Sequence, residues 1–439
     1  MTATAVARPA DVRPGSPNIL LILVDDLGNG DLESHGAPDM KTPHLNALME
    51  AGVRLDNFYA NCPVCSPTRA ALLSGRYPDL AGVPGVIRTH WDNSWGYLRE
   101  DIDLLPAVLR RAGYHTAMVG KWHLGLEAPN RPWERGFDHF QGFLGDMMDD
   151  YYNHRRHGIH YMRKNERAVF PEGHSTDIFS DWAADYIRYQ AEAEAPFFLY
   201  LAYNAPHTPI EPPDEWLARV KAREPGIADD RAALVALIEH MDDGIGRTVQ
   251  ALKDTGQYDD TMIIFCSDNG GQASAGGTNG PVRGAKQDMY EGGIKVPGCV
   301  SWPARIAPAQ RRDDPVMTMD FYPTLCGLAG VPFDPRADGV DLAPALWGDG
   351  GVDPDRTMIW MRREGGQYGG QDYYAIRRGP WKLVQNSPFE TFELFNLAED
   401  PKEAAPVSGN HPMRAELARA LREHVLRAGS VPWQRPPGI

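Results

Sequence analysis

The sequence predicts an α/β fold, a large and mostly parallel mixed sheet sandwiched by helices, followed by a small antiparallel sheet with one helix. Three observations carry this. Asn18–Val24 (N-I-L-L-I-L-V) and residues 196–203 (P-F-F-L-Y-L-A-Y) are continuous apolar runs without alternation, the pattern of strands buried on both faces. Helical patterns alternate with such runs at the spacing of βαβ units. From about Pro354 the texture changes to short strands joined by Gly-rich turns.

Taken in order, the first strand is followed at once by Asp25 and Asp26. A helix over 43–51 comes next, with Thr42 as cap, Pro43 at the first helical position and Gly52 past its end. A helix over 104–112 leads into a strand at 115–119, after which come Gly120, Lys121, Trp122 and His123. The strand at 196–203 has His207 four residues beyond its end. Leu234, Leu237, Ile238, Met241, Ile245, Val249 and Leu252 recur in steps of three and four, so 231–252 reads as an amphipathic helix that stops near Gly256. A strand over 261–266 then ends at Ser267, Asp268, Asn269 and Gly270. Three short strands (357–362, 373–377 and 381–384) and a helix over 413–428 complete the chain. The organisation expected is a flexible tail (1–17), a main domain (18–353) and a C-terminal subdomain (354–439).

The chain has 439 residues, 42% hydrophobic and 23% charged, which is the composition of an ordinary globular protein. Its 44 basic residues stand against 59 acidic ones, for a formal charge of -15. That balance speaks against a nucleic-acid partner, whose binders cluster Lys and Arg, but not against a small anion, which needs only a few local cations. Five cysteines (Cys62, Cys65, Cys266, Cys299 and Cys326) do not form the even-numbered framework of a small disulfide-rich domain. No stretch approaches a membrane span, and the first 17 residues lack the apolar segment of a secretory signal, so a cytoplasmic location is the expectation. Oligomeric state is not legible.

Asp25–Asp26, Lys121–His123, His207 and Asp268–Asn269 all fall just past the carboxyl ends of expected buried strands, where open α/β sheets bind ligands. Asp25, Asp26, Asp268 and Asn269 offer only oxygen, and three gathered carboxylates need a cation or protons between them. Oxygen ligation suits Ca²⁺, or equally Mg²⁺, rather than zinc. Either acidic motif alone is the ordinary composition of a turn; their pairing at strand ends is what points to a metal. The segment Cys65-Ser66-Pro67-Thr68-Arg69 through Gly75-Arg76 reads as a helix capped by Ser66 and starting at Pro67. Its amino end, with Arg69 and Arg76, would place Cys65 in an electropositive spot. Three readings compete for Cys65: a buried structural residue, one half of a Cys62-Pro63-Val64-Cys65 redox pair, and a family signature.

Cys-x-Pro-x-Arg followed by a short Ala/Leu helix and Gly-Arg resembles the signature of type I sulfatases, members of the alkaline phosphatase-like superfamily. Lys121-Trp122-His123-Leu124-Gly125, Asp268-Asn269-Gly270-Gly271, and Lys286 with Tyr290-Glu291-Gly292-Gly293 match in family order, and 376–384 resembles the family's C-terminal subdomain. The spacing is nearest to the glycan-acting branch that includes N-acetylgalactosamine-4-sulfatase and arylsulfatases. The resemblance implies hydrolysis of a sulfated sugar or aryl sulfate, with Cys65 oxidised to formylglycine by a separate maturation enzyme. It implies one divalent cation held by Asp25, Asp26, Asp268, Asn269 and the modified Cys65, with no other cofactor. Asp268 would accept the proton of the nucleophile, and Arg69 and Lys121 would hold the aldehyde hydrate. Lys121 and Lys286 would neutralise sulfate oxygens. His207, with Lys286, would serve the departing alcohol, and His123 would take the proton whose loss expels sulfate. A phosphodiester or phosphonate monoester hydrolase of the same superfamily, and a non-catalytic binder of sulfated glycans, are the alternatives.

His44, His154, His160 and His174 are expected to be surface or hydrogen-bonded residues, His240, beside Met241 on its helix, to be structural, and Asp242–Asp243 to lie on a solvated helix face. The segments 147–163 and 89–95 combine aromatics, His and Arg and are candidate substrate loops.

Overall fold

The computed structural model describes residues 15–90, 93–365 and 368–435. Most of the expected tail and two positions of the 89–95 loop lie outside these. Ten strands form one sheet in the order Gln310–Arg312, Val53–Leu55, Gly298–Ser301, Thr261–Ser267, Asn18–Val24, Phe197–Ala202, His115–Lys121, His139–Phe143, Met162–Lys164 and Arg167–Ala168. The five strands from Thr261–Ser267 to His139–Phe143 are mutually parallel, and the antiparallel pairings lie toward the edges. The mixed α/β sheet expected from the apolar runs is therefore present.

The central strand shows why its sequence does not alternate. Ile19, Leu21 and Leu23 join Leu72, Leu109 and Leu325 in a core on one face, while Leu20, Ile22 and Val24 join Leu45, Phe179 and Leu237 on the other. Helices Cys65–Ser74, Leu105–Arg111 and Phe321–Ala329 feed the first core, and Pro43–Glu50, Ser175–Gln190 and Asp229–Asp254 the second. With both faces covered, the parallel strands are free to end together at one edge. Gly120 permits the close packing at that edge: its φ is 106°, and a Cβ there would lie 1.9 Å from the carbonyl oxygen of Ala202.

The C-terminal strands Thr357–Glu364, Gln371–Arg378, Trp381–Gln385 and Glu393–Asn396 make an antiparallel sheet packed by helix Pro412–Ala428. The last strand is absent from the sequence reading, since only Leu394 and Phe395 of its four residues are buried. This sheet does not form a separate core. Trp360, Ile376 and Phe395 pack with Tyr59, Ala71 and Ile294 of the main body. Buried Lys382 crosses the same seam to Glu291 at 2.8 Å and also pairs with Glu403 of its own side at 2.8 Å.

Three local expectations are corrected. Helix Cys65–Ser74 starts at Cys65, capped by Val64, and Ser66 Oγ instead accepts the backbone N–H of Ile87 at 3.0 Å. Thr42 stands at the cap position of its helix but makes no capping hydrogen bond. That task falls to Asp242, which is buried rather than solvated and accepts the N–H groups of His44 and Leu45 at 3.0 and 2.8 Å. A carboxylate on a facing helix can satisfy those first-turn donors as well as a local cap does, and no local pattern reveals it.

His174 caps helix Ser175–Gln190: Nδ1 accepts from Thr176 N at 3.2 Å and Nε2 donates to Glu211 O at 3.0 Å. Burial first, and then His240, lower its pKa from 6.5 to about 4. The folded value lies below the unfolded one, so its contribution to stability is complete above pH 6.5 and is lost as pH falls toward 4. Urea unfolding at pH 7.5 and pH 5 is expected to show the wild type losing about 2 kcal/mol more than His174→Asn, which caps without titrating. Equal losses would contradict this account.

Candidate active site

The strand ends bring the expected groups together. Asp25 is fully buried; its Oδ2 accepts from Lys121 Nζ and lies 3.5 Å from Arg69 Nη2. Asp26 Oδ1 accepts from Asn269 Nδ2 at 2.8 Å, and its Oδ2 accepts from Lys286 Nζ at 2.6 Å. Asp268 Oδ2 accepts from Arg69 Nε and Nη2 at 3.1 and 2.8 Å, while its Oδ1 accepts the backbone N–H of Asp26 at 3.2 Å. Arg69 also donates to Lys121 O at 3.0 Å, so the Cys65 helix and the strand ends form one unit.

Asp25, Asp26, Cys65 and His207 each present a ligating atom within 4.8 Å of the others. Asp268 stands beside that group rather than in it: its Oδ2 accepts from Arg69 and its Oδ1 from the Asp26 backbone. Asn269 adjoins it through Asp26. Asp25 Oδ1 and Asn269 Oδ1 are buried and have no hydrogen-bond partner among the described residues. A buried acceptor without a donor is costly, and a hard cation is what two such oxygens beside a second carboxylate fit. Of the expected ligands, Asp25, Asp26 and Cys65 lie in one group, joined by His207, which the sequence assigns to the departing alcohol instead.

Charge settles the protonation states. Burial alone would raise Asp25, but Lys121, His207, Arg69 and Lys286 drive its pKa well below the usual carboxylate range. Burial and then Asp25 push Asp268 up, with Arg69 opposing. For Lys286, burial would favour the neutral amine, yet the carboxylates of Asp26 and Asp25 hold it firmly charged. The Cys65 thiol is pushed well above its ordinary value, by burial first and Asp25 next. Lys286 and Lys121 act in the opposite direction, as the expected electropositive surroundings would, but burial outweighs them. Arg76 lies past the end of the Cys65 helix, and the charged groups that act on it, Asp338 and Arg336 among them, are not those of the site.

Both histidines are fixed as neutral tautomers. His207 Nδ1 lies 2.7 Å from Thr208 O, so it carries the proton, and Nε2 is left to accept from Lys286 Nζ at 3.0 Å. His123 Nε2 donates to Ile87 O at 2.8 Å, leaving Nδ1 as a buried base with no partner among the described residues. Burial, then Lys121 and Arg69, lower the pKa of His123 well below 6.5; burial is also the main cause for His207. Asp26, His123 and Gln287 hold left-handed backbone conformations (φ 69°, 60° and 84°), the strain that packed functional sites sustain.

Cys65, His123, His207 and Lys286 line one open cavity of about 230 Å³. Met147 and Arg156, from the first candidate substrate loop, line it too. Of the second loop nothing does among the described residues, although Arg88 just before it does. Asp146 and Glu364 are lining residues that the sequence reading missed; Glu364 lies far along the chain on a C-terminal strand and carries no motif.

Comparison with known proteins decides what this arrangement is. The sulfatase family matches residues 17–331, and the C-terminal region of N-sulphoglucosamine sulphohydrolase matches 285–429. The chain belongs to the sulfatase family. N-acetylgalactosamine-6-sulfatase of Canis lupus familiaris is 32% identical across 90% of this chain and 82% of the relative. Arylsulfatase A of Homo sapiens is 32% identical across 86% and 75%. The crystal structure of Ps i-CgsB in complex with k-i-k-neocarrahexaose superposes with a TM-score of 0.88, at 31% identity over 96% of this chain and 95% of that one. The sulfatase is thus a sulfuric ester hydrolase with the alkaline phosphatase-like fold, and its family uses a metal ion and formylglycine. Among these relatives the arylsulfatase side of the expected branch is represented, and the 4-sulfatase side is not.

If the unpartnered oxygens hold a cation, Ca²⁺ at one hundred times its dissociation constant stabilises the chain by about 2.7 kcal/mol. A melting temperature that rises on adding Ca²⁺ to chelator-treated protein, with no rise in Asp25→Ala or Asn269→Ala, is the expected result. A rise that persists in both variants would place the ion elsewhere.

Proposed function

We propose that this sulfatase removes sulfate from a sulfated sugar, with Cys65 carrying the formylglycine and Asp25, Asp26, Asp268 and Asn269 holding one Ca²⁺, or Mg²⁺ in its place. The observation that carries this is the group of Asp25, Asp26, Cys65 and His207 at the strand ends, with Asp25 Oδ1 and Asn269 Oδ1 unpartnered among the described residues. A formylglycine at Cys65 supplies an oxygen nucleophile for sulfur, and the cation supplies neutralisation of the oxygens around it. A protonated thiol supplies neither, and a separate maturation enzyme is needed to convert it.

The chain's own residues then divide the work. Asp268, the carboxylate pushed up in pKa, accepts the nucleophile's proton while Arg69 holds its orientation. Lys121 and Lys286 bring two positive charges to the sulfate oxygens. The proton for the departing alcohol sits on Lys286 rather than on His207, because His207 Nε2 is an acceptor in this tautomer. His207 relays or steadies that proton. His123 Nδ1 is the base available for the step that releases sulfate.

Turnover of nitrophenyl sulfate is expected to exceed that of the matching phosphodiester in kcat/KM. The reverse order would favour the phosphodiester or phosphonate monoester hydrolase reading. Lys286→Ala is expected to lower kcat by roughly 100-fold or more, as loss of an acid group does; a change only in KM would remove it from proton transfer.

A further inference from the structure

One wall of the cavity carries a positive charge that the sulfatase reaction at Cys65 does not use. Glu364, 1% exposed, is shared by two guanidinium groups. Its Oε2 accepts from Arg362 Nε at 2.8 Å and from Arg362 Nη2; its Oε1 accepts from Arg88 Nη2 at 3.0 Å. One carboxylate therefore faces two cations. Arg362 is the buried member: it donates to Gln287 O at 2.9 Å and lies over the Tyr368 and Tyr373 rings. Arg88 is the half-buried member and lines the cavity alongside Cys65 and Lys286.

Arg88 is anchored but not saturated. Its Nη1 makes only long contacts, 3.5 Å to Val86 O and 3.3 Å to Asn93 O, and its Nε makes no hydrogen bond among the described residues. The other cavity arginine, Arg156, is compensated differently. It lies between Asp146 and Asp149, at 3.0 and 2.9 Å, so there two carboxylates meet one cation. Such a pair suits sugar hydroxyls, which donate and accept in turn. The Arg88 wall suits an anion, since a guanidinium pre-oriented by a carboxylate presents its remaining donors at little entropic cost.

We propose that Arg88 binds a second anionic group of the substrate, a further sulfate ester or a carboxylate, on the sugar that carries the scissile sulfate or on its neighbour. This rests on the reading of the cavity as a site for sulfated sugars. It makes Arg88 a specificity residue and assigns the C-terminal sheet, through Glu364 and Arg362, the task of aiming it.

Binding to the Cys65→Ser protein, which cannot turn substrate over, tests this by calorimetry. The probes are galactose 4- and 6-monosulfates, galactose 2,4-, 2,6- and 4,6-disulfates, and a disaccharide of a uronic acid with monosulfated N-acetylgalactosamine. At least one doubly anionic sugar is expected to bind about tenfold more tightly than its monosulfated parent, the worth of one charge-assisted contact. Which probe gains identifies sulfate or carboxylate as the second group. In Cys65→Ser/Arg88→Gln that advantage is expected to fall below about threefold, and Arg88→Lys to retain part of it. Equal affinity for singly and doubly charged sugars, or an advantage that survives Arg88→Gln, overturns the proposal and leaves Arg88 as a tie between the two sheets. Binding of none of the probes would instead overturn the sugar-site reading on which it rests.

Discussion

Three buried carboxylates and three cations, two of them buried and Lys286 half-buried, held at the carboxyl edge of the parallel strands, are the constraint on which the rest of the structure depends. Asp25, Asp26 and Asp268 repel one another in a medium that screens little, and Arg69, Lys121 and Lys286 are the groups that let them coexist. Each cation arrives from a different segment: the Cys65 helix, the end of the His115–Lys121 strand and the loop before Glu291. Keeping them in register requires a stiff frame, and a sheet covered by apolar cores on both faces supplies one.

The same constraint explains the state of Cys65. At the first residue of a buried helix, between carboxylates, its thiol is held protonated. A protonated sulfur is a weak nucleophile and a poor partner for a hard cation. An oxygen-bearing side chain at that position suits the unpartnered oxygens of Asp25 and Asn269, the lysines and the anionic substrate together.

The sequence made the frame legible because burial writes itself into local pattern. Unbroken apolar runs marked the central strands, and steps of three and four marked the long helix, with ends within a few residues of those observed. The site was legible because polar residues at strand ends have one place to go, and because Cys65 through Arg76 and the Lys121, Asp268 and Lys286 segments carry a family's motifs. What escaped was set by side-chain and backbone partners that no motif encodes. Asp242 caps a helix about 200 residues away in the chain, Glu364 pairs with Arg88 from a loop far earlier in the chain, and the tautomers of His123 and His207 are fixed by backbone carbonyls. None of these leaves a local trace. The small C-terminal sheet is legible as such, but not that its core takes in Tyr59, Ala71 and Ile294 or that its Glu364 reaches the cavity.

The central claim is that Cys65 works as formylglycine. Its most direct test is the mass of the Cys65 peptide from active protein produced alongside a maturation enzyme. The account predicts a peptide ~18 Da lighter than the cysteine form, the difference made by exchanging the thiol for an aldehyde oxygen. Fully active protein in which Cys65 is found only as the free thiol would contradict it.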